Sequence, residues 1–194
     1  MSSPRRNIRR ANSLQRSRAL GAAVALALMS SAALADGAHR FVFTAYTDAA
    51  GGADVVAGRY HAALEQLNGP PGTMESDATA VNTNLCVAYS MTLQLGAARA
   101  ACNAAVRAAK ERRGLPTAWW NGARPSPDDS QAVAYANRAV MYWLLHDESA
   151  ARSDLARAQE LSPQSGFVTQ NAAALKAHDR LVAQAVTPAR GSVR

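Results

Sequence analysis

Cysteine and histidine are the residue types in this chain that could support nucleophilic, redox or metal chemistry. The 194-residue sequence has two cysteines, Cys86 and Cys102, and four histidines. The cysteines form no C-x-x-C redox motif, and no histidine pair has zinc-ligand spacing. Motifs for phosphate binding, dinucleotide binding or a nucleophilic serine are also absent from the sequence. We therefore expect no catalytic residue, cofactor or metal site. The remaining enzyme hypothesis is a hydrolytic or thiol-redox activity that depends on His61, His146 or Cys102.

Two adjacent tryptophans, Trp119 and Trp120, lie in a segment rich in proline and glycine. They either fold back over neighbouring helices or form an exposed anchor for a partner. Packing is favoured, because an exposed pair of tryptophans is unfavourable unless a partner uses it.

Residues 1–35 have the pattern of a secretory signal. Six arginines precede an apolar stretch at 20–29, and Ala33-Leu34-Ala35 forms a small-x-small cleavage site. The alternative is an uncleaved membrane anchor, but the apolar region is shorter than the ~20 residues that span a bilayer. We expect cleavage, no membrane span afterwards and a periplasmic or secreted protein.

The charge of the chain lies mainly in this signal-like segment. The whole chain has a formal net charge of +7, whereas residues 36–194 contain 15 Lys and Arg against 14 Asp and Glu. That near-neutral balance does not favour nucleic acid as a partner. The remaining length is enough for one domain, and its high alanine content favours closely packed helices.

The elements that position these residues are clearest at 132–165. This 34-residue stretch has the pattern of two helices joined by a turn. Its small and aromatic residues recur at helical spacing, and a proline closes the unit: Tyr135, Ala139, Tyr142, Ala151, Ala158 and Pro163. The length and the residue order resemble a tetratricopeptide (TPR) repeat.

A second copy of the pattern occurs near 79–110, with equivalent positions 53 residues earlier. Asn84 corresponds to Asn137, and Cys86 corresponds to Ala139. The extra residues indicate a loop insertion at 111–131, which contains several prolines and glycines.

The remaining segments complete the predicted organisation. Residues 36–53 are expected to be an irregular lead-in, 54–67 a helix from a degenerate half-repeat, 166–185 an amphipathic capping helix and 187–194 a tail. The resemblance thus implies an all-α fold: a short TPR-like α-solenoid of antiparallel helix pairs over residues 54–186, with a C-terminal capping helix.

The resemblance also places Cys86 and Cys102 at facing positions of one helix pair. In an oxidising compartment a disulfide is then favoured over two buried free thiols.

In TPR proteins the first helices of successive repeats line a groove. Transferred by position, this groove would be lined by Thr83, Val87, Ser90, Met91, Ala136, Val140, Trp143 and Leu144. Trp143 either faces the groove or is covered by the capping helix or the N-terminal segment. Some TPR proteins bind a peptide carboxylate through asparagines here, but Val87 and Val140 occupy those positions in this chain. Asn84 and Asn137 lie at a position that is often asparagine in the family, and we interpret them as structural. Because the groove is mostly apolar, an apolar peptide or helix is the expected ligand.

These features together predict a non-catalytic module that binds a protein or peptide in the cell envelope, with partner and oligomeric state unknown. The alternative is a structural or assembly protein whose groove is filled by its own N-terminal segment. Phe41, Phe43 and Tyr46 would then fill the groove.

Overall fold

The computed structural model describes residues 40–69, 77–113 and 126–186. Within these ranges the chain forms seven α-helices and no strand, which confirms the all-α expectation for this part of the protein. The helices are α1 (Gly52–Val56), α2 (Tyr60–Leu67), α3 (Ala78–Met91), α4 (Leu95–Arg113), α5 (Pro127–Leu144), α6 (Glu148–Leu161) and α7 (Gly166–Val186). Residues 1–35, Trp119, Trp120 and 187–194 lie outside the described ranges. No helix within those ranges is long and apolar enough to cross a membrane.

Side-chain caps fix where three of the helices begin. Asp77 accepts a hydrogen bond from the Thr79 N–H at the start of α3, at 2.9 Å. Ser126 accepts from the Asp129 N–H at 3.0 Å before α5, and Asp147 accepts from the Ala150 N–H at 3.1 Å before α6. These caps satisfy N–H groups that the first turn of a helix leaves without a partner.

Two helical hairpins, α3–α4 and α5–α6, share one turn geometry. Leu93 and His146 each adopt a left-handed backbone conformation, with φ of 57° and 58°. In both turns the residue that follows donates its N–H to a carbonyl five residues back, at 2.9 Å. This is the Schellman ending of a helix. The two turns lie at equivalent positions of the sequence repeat, so the repeat extends to backbone conformation.

Small residues allow these helices to approach closely. Ala98, Ala105, Ala139, Ala151 and Ala158 are all at most 1% exposed. Helices α3, α5 and α7 follow one another, with α3 touching α5 and α5 touching α7. Helix α4 packs against α3 and α5, and α6 packs against α5 and α7. Helices α3, α5 and α7 therefore form a row, and α4 and α6 pack beside it.

A disulfide joins Cys86 on α3 to Cys102 on α4, as predicted. The Cα atoms are 4.6 Å apart and both residues are fully buried. The bond lies in a cluster with Ala98, Ala101 and Met141, and Met141 belongs to the next hairpin. The disulfide thus lies where the two hairpins meet.

An ion pair inside the second hairpin also reaches the first hairpin. Arg138 on α5 donates to both carboxylate oxygens of Asp154 on α6, at 2.6 and 2.8 Å, and to Asn103 on α4 at 3.0 Å. The hydrogen bond to Asp154 raises the pKa of Arg138 above its ordinary value. The guanidinium also lies 5.4 Å from the centre of the Tyr135 ring. Arg138 therefore links three helices through one side chain.

Two boundaries differ from the sequence prediction. The expected single helix at 54–67 is divided into α1 and α2, because Gly58 has a φ of 74° and ends α1 with the same Schellman pattern. The expected loop insertion at 111–131 is helical at both of its ends. Helix α4 continues to Arg113, and α5 already begins at Pro127, where proline is well suited to the first helical position.

Candidate functional site

Three buried asparagines lie in equivalent positions on the row of helices. Asn84 is on α3, Asn137 on α5 and Asn171 on α7, and each is fully buried. Asn171 follows Asn137 by 34 residues, the length of the sequence repeat. A primary amide offers an acceptor oxygen and a donor nitrogen side by side. We call these three residues the asparagine face.

The asparagine face binds the backbone of residues 40–46, which we call the bound segment. Asn171 accepts from the Val42 N–H at 2.7 Å and donates to the Val42 carbonyl at 2.9 Å. Asn137 makes the same pair of bonds with Thr44, at 2.9 and 2.6 Å.

Asn84 completes the pattern at Tyr46. Its Oδ1 accepts from the Tyr46 N–H at 2.9 Å, and its Nδ2 donates to the Tyr46 carbonyl at 3.0 Å. Each amide thus pairs with one residue as a neighbouring β-strand would.

The period of this pairing is that of an extended chain. In a strand, the N–H and C=O groups of every second residue point to the same edge. Val42, Thr44 and Tyr46 therefore present their main-chain groups to the asparagines, while Phe41, Phe43 and Ala45 present theirs to the other edge. The three asparagines therefore recognise main-chain groups of the segment.

The side chains of Phe41 and Phe43 pack on two separate apolar clusters. Phe41 contacts the C-terminal cluster, formed by Ala139, Leu155 and Ala172. Phe43 and Ala45 contact the N-terminal cluster, which consists of Val55, Ala63, Leu64, Val87 and Ala88. The bound segment is therefore held by its backbone and by two aromatic anchors.

The end of the bound segment is fixed by a close backbone approach. A Cβ atom at Gly52 would lie 1.8 Å from the Tyr46 carbonyl oxygen, so no larger residue fits there. Asn84 additionally donates to the Ala50 carbonyl at 3.1 Å, which ties the turn after Tyr46 to the same helix. The hydroxyl of Tyr46 is buried, and this burial raises the pKa of the phenol.

The groove predicted from the sequence is not open. Thr83, Val87, Ser90, Ala136 and Val140 are all at most 3% exposed. Thr83 donates its hydroxyl to the Thr79 carbonyl within α3. Of the remaining predicted residues, Leu144 is half-buried and Met91 is 44% exposed. These residues lie on α3 and α5, and most of their side chains belong to the core.

Trp143 is the exception, because it contacts the bound segment directly. Its ring centroid lies 4.7 Å from that of Phe41 and 4.6 Å from that of His178 on α7, and the rings of Trp143 and His178 are arranged edge to face. Of the two alternatives for this tryptophan, the structure shows the covered one. The capping helix and the N-terminal segment both contribute to the cover.

The residues missed from the sequence are the asparagines themselves. Asn84 and Asn137 were interpreted as structural, and Asn171 was not recognised as their equivalent, because α7 was interpreted only as a cap. The signal that could have found it is the 34-residue spacing, continued for one more unit. For the partner of the set, residues 40–46, the sequence indicates only the side chains of Phe41, Phe43 and Tyr46 as an alternative filling of the groove, and nothing indicates a contact through the backbone.

The described residues show neither a free thiol nor a cluster of three or more potential metal ligands. Cys102 is held in the disulfide, and a thiolate nucleophile is therefore not available from it. His61 and His146 are both exposed, on α2 and in the turn after α5.

Comparisons with protein-family models, with curated proteins and with solved structures gave no match for this chain. The asparagine face is therefore the feature from which a function can be inferred.

Proposed function

We propose that this protein is a non-catalytic, TPR-like module that holds a polypeptide segment in an extended conformation. The observation that carries the proposal is the set of paired hydrogen bonds from Asn84, Asn137 and Asn171 to alternate residues of one extended segment. Main-chain N–H and C=O groups occur in every peptide. A face that binds them is suited to an extended ligand, as a sheet edge is in strand addition.

The TPR-like arrangement is supported by the shared geometry of the hairpins. Leu93 and His146 form the same turn, and Asn137 and Asn171 are separated by one repeat length. Helix α7 then corresponds to the first helix of a third unit. It would also serve as the cap that a short solenoid requires.

Export to the periplasm or the cell exterior is part of the proposal. It is supported by the signal-like pattern of residues 1–35 and by the disulfide between Cys86 and Cys102, since disulfides persist in oxidising compartments.

A second candidate is a structural or assembly role, in which the bound segment is a permanent part of the core. Its support is that Phe41 and Phe43 complete the C-terminal and N-terminal clusters. Without the segment, three fully buried amides would lose their partners, which is costly.

A truncation separates the two candidates. The chain would begin at Thr47, and circular dichroism, thermal melting and binding of a permanently unfolded, carboxymethylated protein would be measured. A binding module keeps its helix content and binds this probe at micromolar concentration, whereas the full-length protein binds it much more weakly. A truncated chain that loses its helices and binds nothing supports the structural role instead.

A further inference from the structure

The bound segment shows which side chains a ligand of this face needs. Its two phenylalanines, Phe41 and Phe43, are two residues apart, and each contacts a different apolar cluster. The paired backbone residues Val42 and Thr44 alternate with them. Aromatic anchors and backbone bonds are thus interleaved along one extended chain.

The register between the anchors and the asparagines is fixed by the helices. Ala139 and Leu155, which receive Phe41, lie on the same hairpin as Asn137, and Ala172 follows Asn171 directly. In an extended chain a slip of one residue turns every side chain to the opposite face. A ligand that keeps the backbone bonds therefore reaches both clusters only if its aromatic residues have this spacing.

The position for Phe41 is built for an aromatic ring. Trp143 stacks on it in a tilted arrangement at 4.7 Å, and His178 holds the tryptophan at 4.6 Å with an interplanar angle of 85°. Offset and edge-to-face contacts of this kind add to the burial of apolar area. An aliphatic side chain would lose these ring contacts.

We propose that the asparagine face binds, in trans, an extended segment of a partner protein that carries two aromatic side chains two residues apart, and that this segment displaces residues 40–46. The proposal rests on the binding function proposed above. The partner segment runs in the same direction as the bound segment, from α7 towards α3.

The bound segment then acts as an internal competitor. A tethered ligand has an effective concentration of roughly millimolar. An external peptide of equal affinity therefore binds the intact protein weakly, and weakening the internal segment reveals the external binding.

The test uses the full-length protein with Thr44→Pro, which removes the N–H that donates a hydrogen bond to Asn137 Oδ1. Thr44→Ala is the matched control, because it changes the same side chain and keeps the N–H. Two labelled peptides are titrated by fluorescence anisotropy: residues 40–49 (RFVFTAYTDA), and an isomer with Val42 and Phe43 exchanged (RFFVTAYTDA). The isomer has the same composition with the wrong aromatic spacing.

The expected result is that T44P binds the native-order peptide at least tenfold more tightly than wild type or T44A does. It should also prefer that peptide over the isomer by at least tenfold. Equal binding of the two peptides overturns the aromatic-spacing inference and leaves the backbone-binding function standing. If a folded T44P binds neither peptide, both proposals fail.

Circular dichroism establishes whether T44P folds. If it does not, Val42→Pro replaces it, because that change removes only the N–H bond to Asn171 at the end of the segment and leaves the Val42 carbonyl bond. The same two peptides and the same tenfold criteria apply. If V42P is also unfolded, the segment is an essential part of the core and the displacement proposal is overturned.

Discussion

Asn137 shows how much depends on a single amide at the residue scale. It lies in the middle of the asparagine face and makes two hydrogen bonds with Thr44 while being fully buried. Asn82 on α3 offers a contrast, since it only donates to the Ala78 carbonyl of its own helix, on an exposed surface. Two residues of the same type therefore have very different structural roles.

We expect Asn137→Ala to lower the free energy of unfolding by about 2 kcal/mol, because the N–H and C=O of Thr44 both lose their partner. Asn82→Ala should change it by no more than about 0.5 kcal/mol. Urea unfolding measures both variants, and hydrogen exchange at the Thr44 amide should accelerate in N137A alone. Equal destabilisation by the two substitutions would contradict the role assigned to Asn137.

The same residue shows the limit of prediction from sequence. Asparagine in the first helix of a repeat is compatible with local packing, and nothing near Asn137 indicates that its partner is Thr44, 93 residues earlier. Phe41 and Phe43 were named as candidates for filling a groove because they are apolar in an otherwise irregular stretch. Their hydrogen-bonded neighbours, by contrast, have no distinguishing chemistry, since the bonds involve only main-chain atoms.

At the scale of elements, the helical hairpins depend on turns in which a non-glycine residue takes a left-handed conformation. Leu93 has a φ of 57° and is 71% exposed. For an L-residue this conformation costs roughly 1–2 kcal/mol, a cost that glycine avoids. The sequence predicted the helices on either side correctly, but leucine and histidine are not residues that signal such a turn.

Leu93→Gly is expected to raise the free energy of unfolding by about 0.5–1 kcal/mol, because it relieves the left-handed strain while little buried area is lost. Leu181→Gly is the matched control. Leu181 is 65% exposed, but it lies within α7, where glycine costs about 1 kcal/mol. Thermal melting should therefore show shifts of opposite sign, and a loss of stability in both variants would refute the strain argument.

Helices α5 and α6 are also joined at the ends opposite their turn. Asp129 in the first turn of α5 accepts a hydrogen bond from Ser162, which follows α6, at 2.7 Å. That bond is the main cause of the lowered pKa of Asp129. The carboxylate also lies at the positive end of the α5 dipole, where a negative charge is favourable. The hairpin is thus closed at both ends.

At the scale of the whole molecule, the disulfide restrains the region where the hairpins meet. Cys86 and Cys102 are 16 residues apart in sequence and share a cluster with Met141 of the second hairpin. Their pairing was predicted, because the TPR resemblance implies facing positions and an oxidising compartment favours the disulfide. A cover by the N-terminal segment was expected only as the alternative, through Phe41, Phe43 and Tyr46, and the backbone bonds to three asparagines were not predicted because the two partners are distant in sequence.

The double substitution Cys86→Ala/Cys102→Ala should lower the free energy of unfolding by about 3 kcal/mol in the chain-entropy model. Guanidinium unfolding with and without reductant provides the measurement. Reductant should lower the stability of wild type by a similar amount and leave the double variant unchanged. If reductant lowers the stability of the double variant by a comparable amount, reductant does not act through this disulfide.

The direction of the bound segment has a consequence for how the chain folds during synthesis. Val42 pairs with Asn171, 129 residues later, whereas Tyr46 pairs with Asn84, 38 residues later. Contacts between residues so distant in sequence form slowly, and chains are made from the N-terminus onwards. Val42 therefore obtains its partner only after α7 has been made.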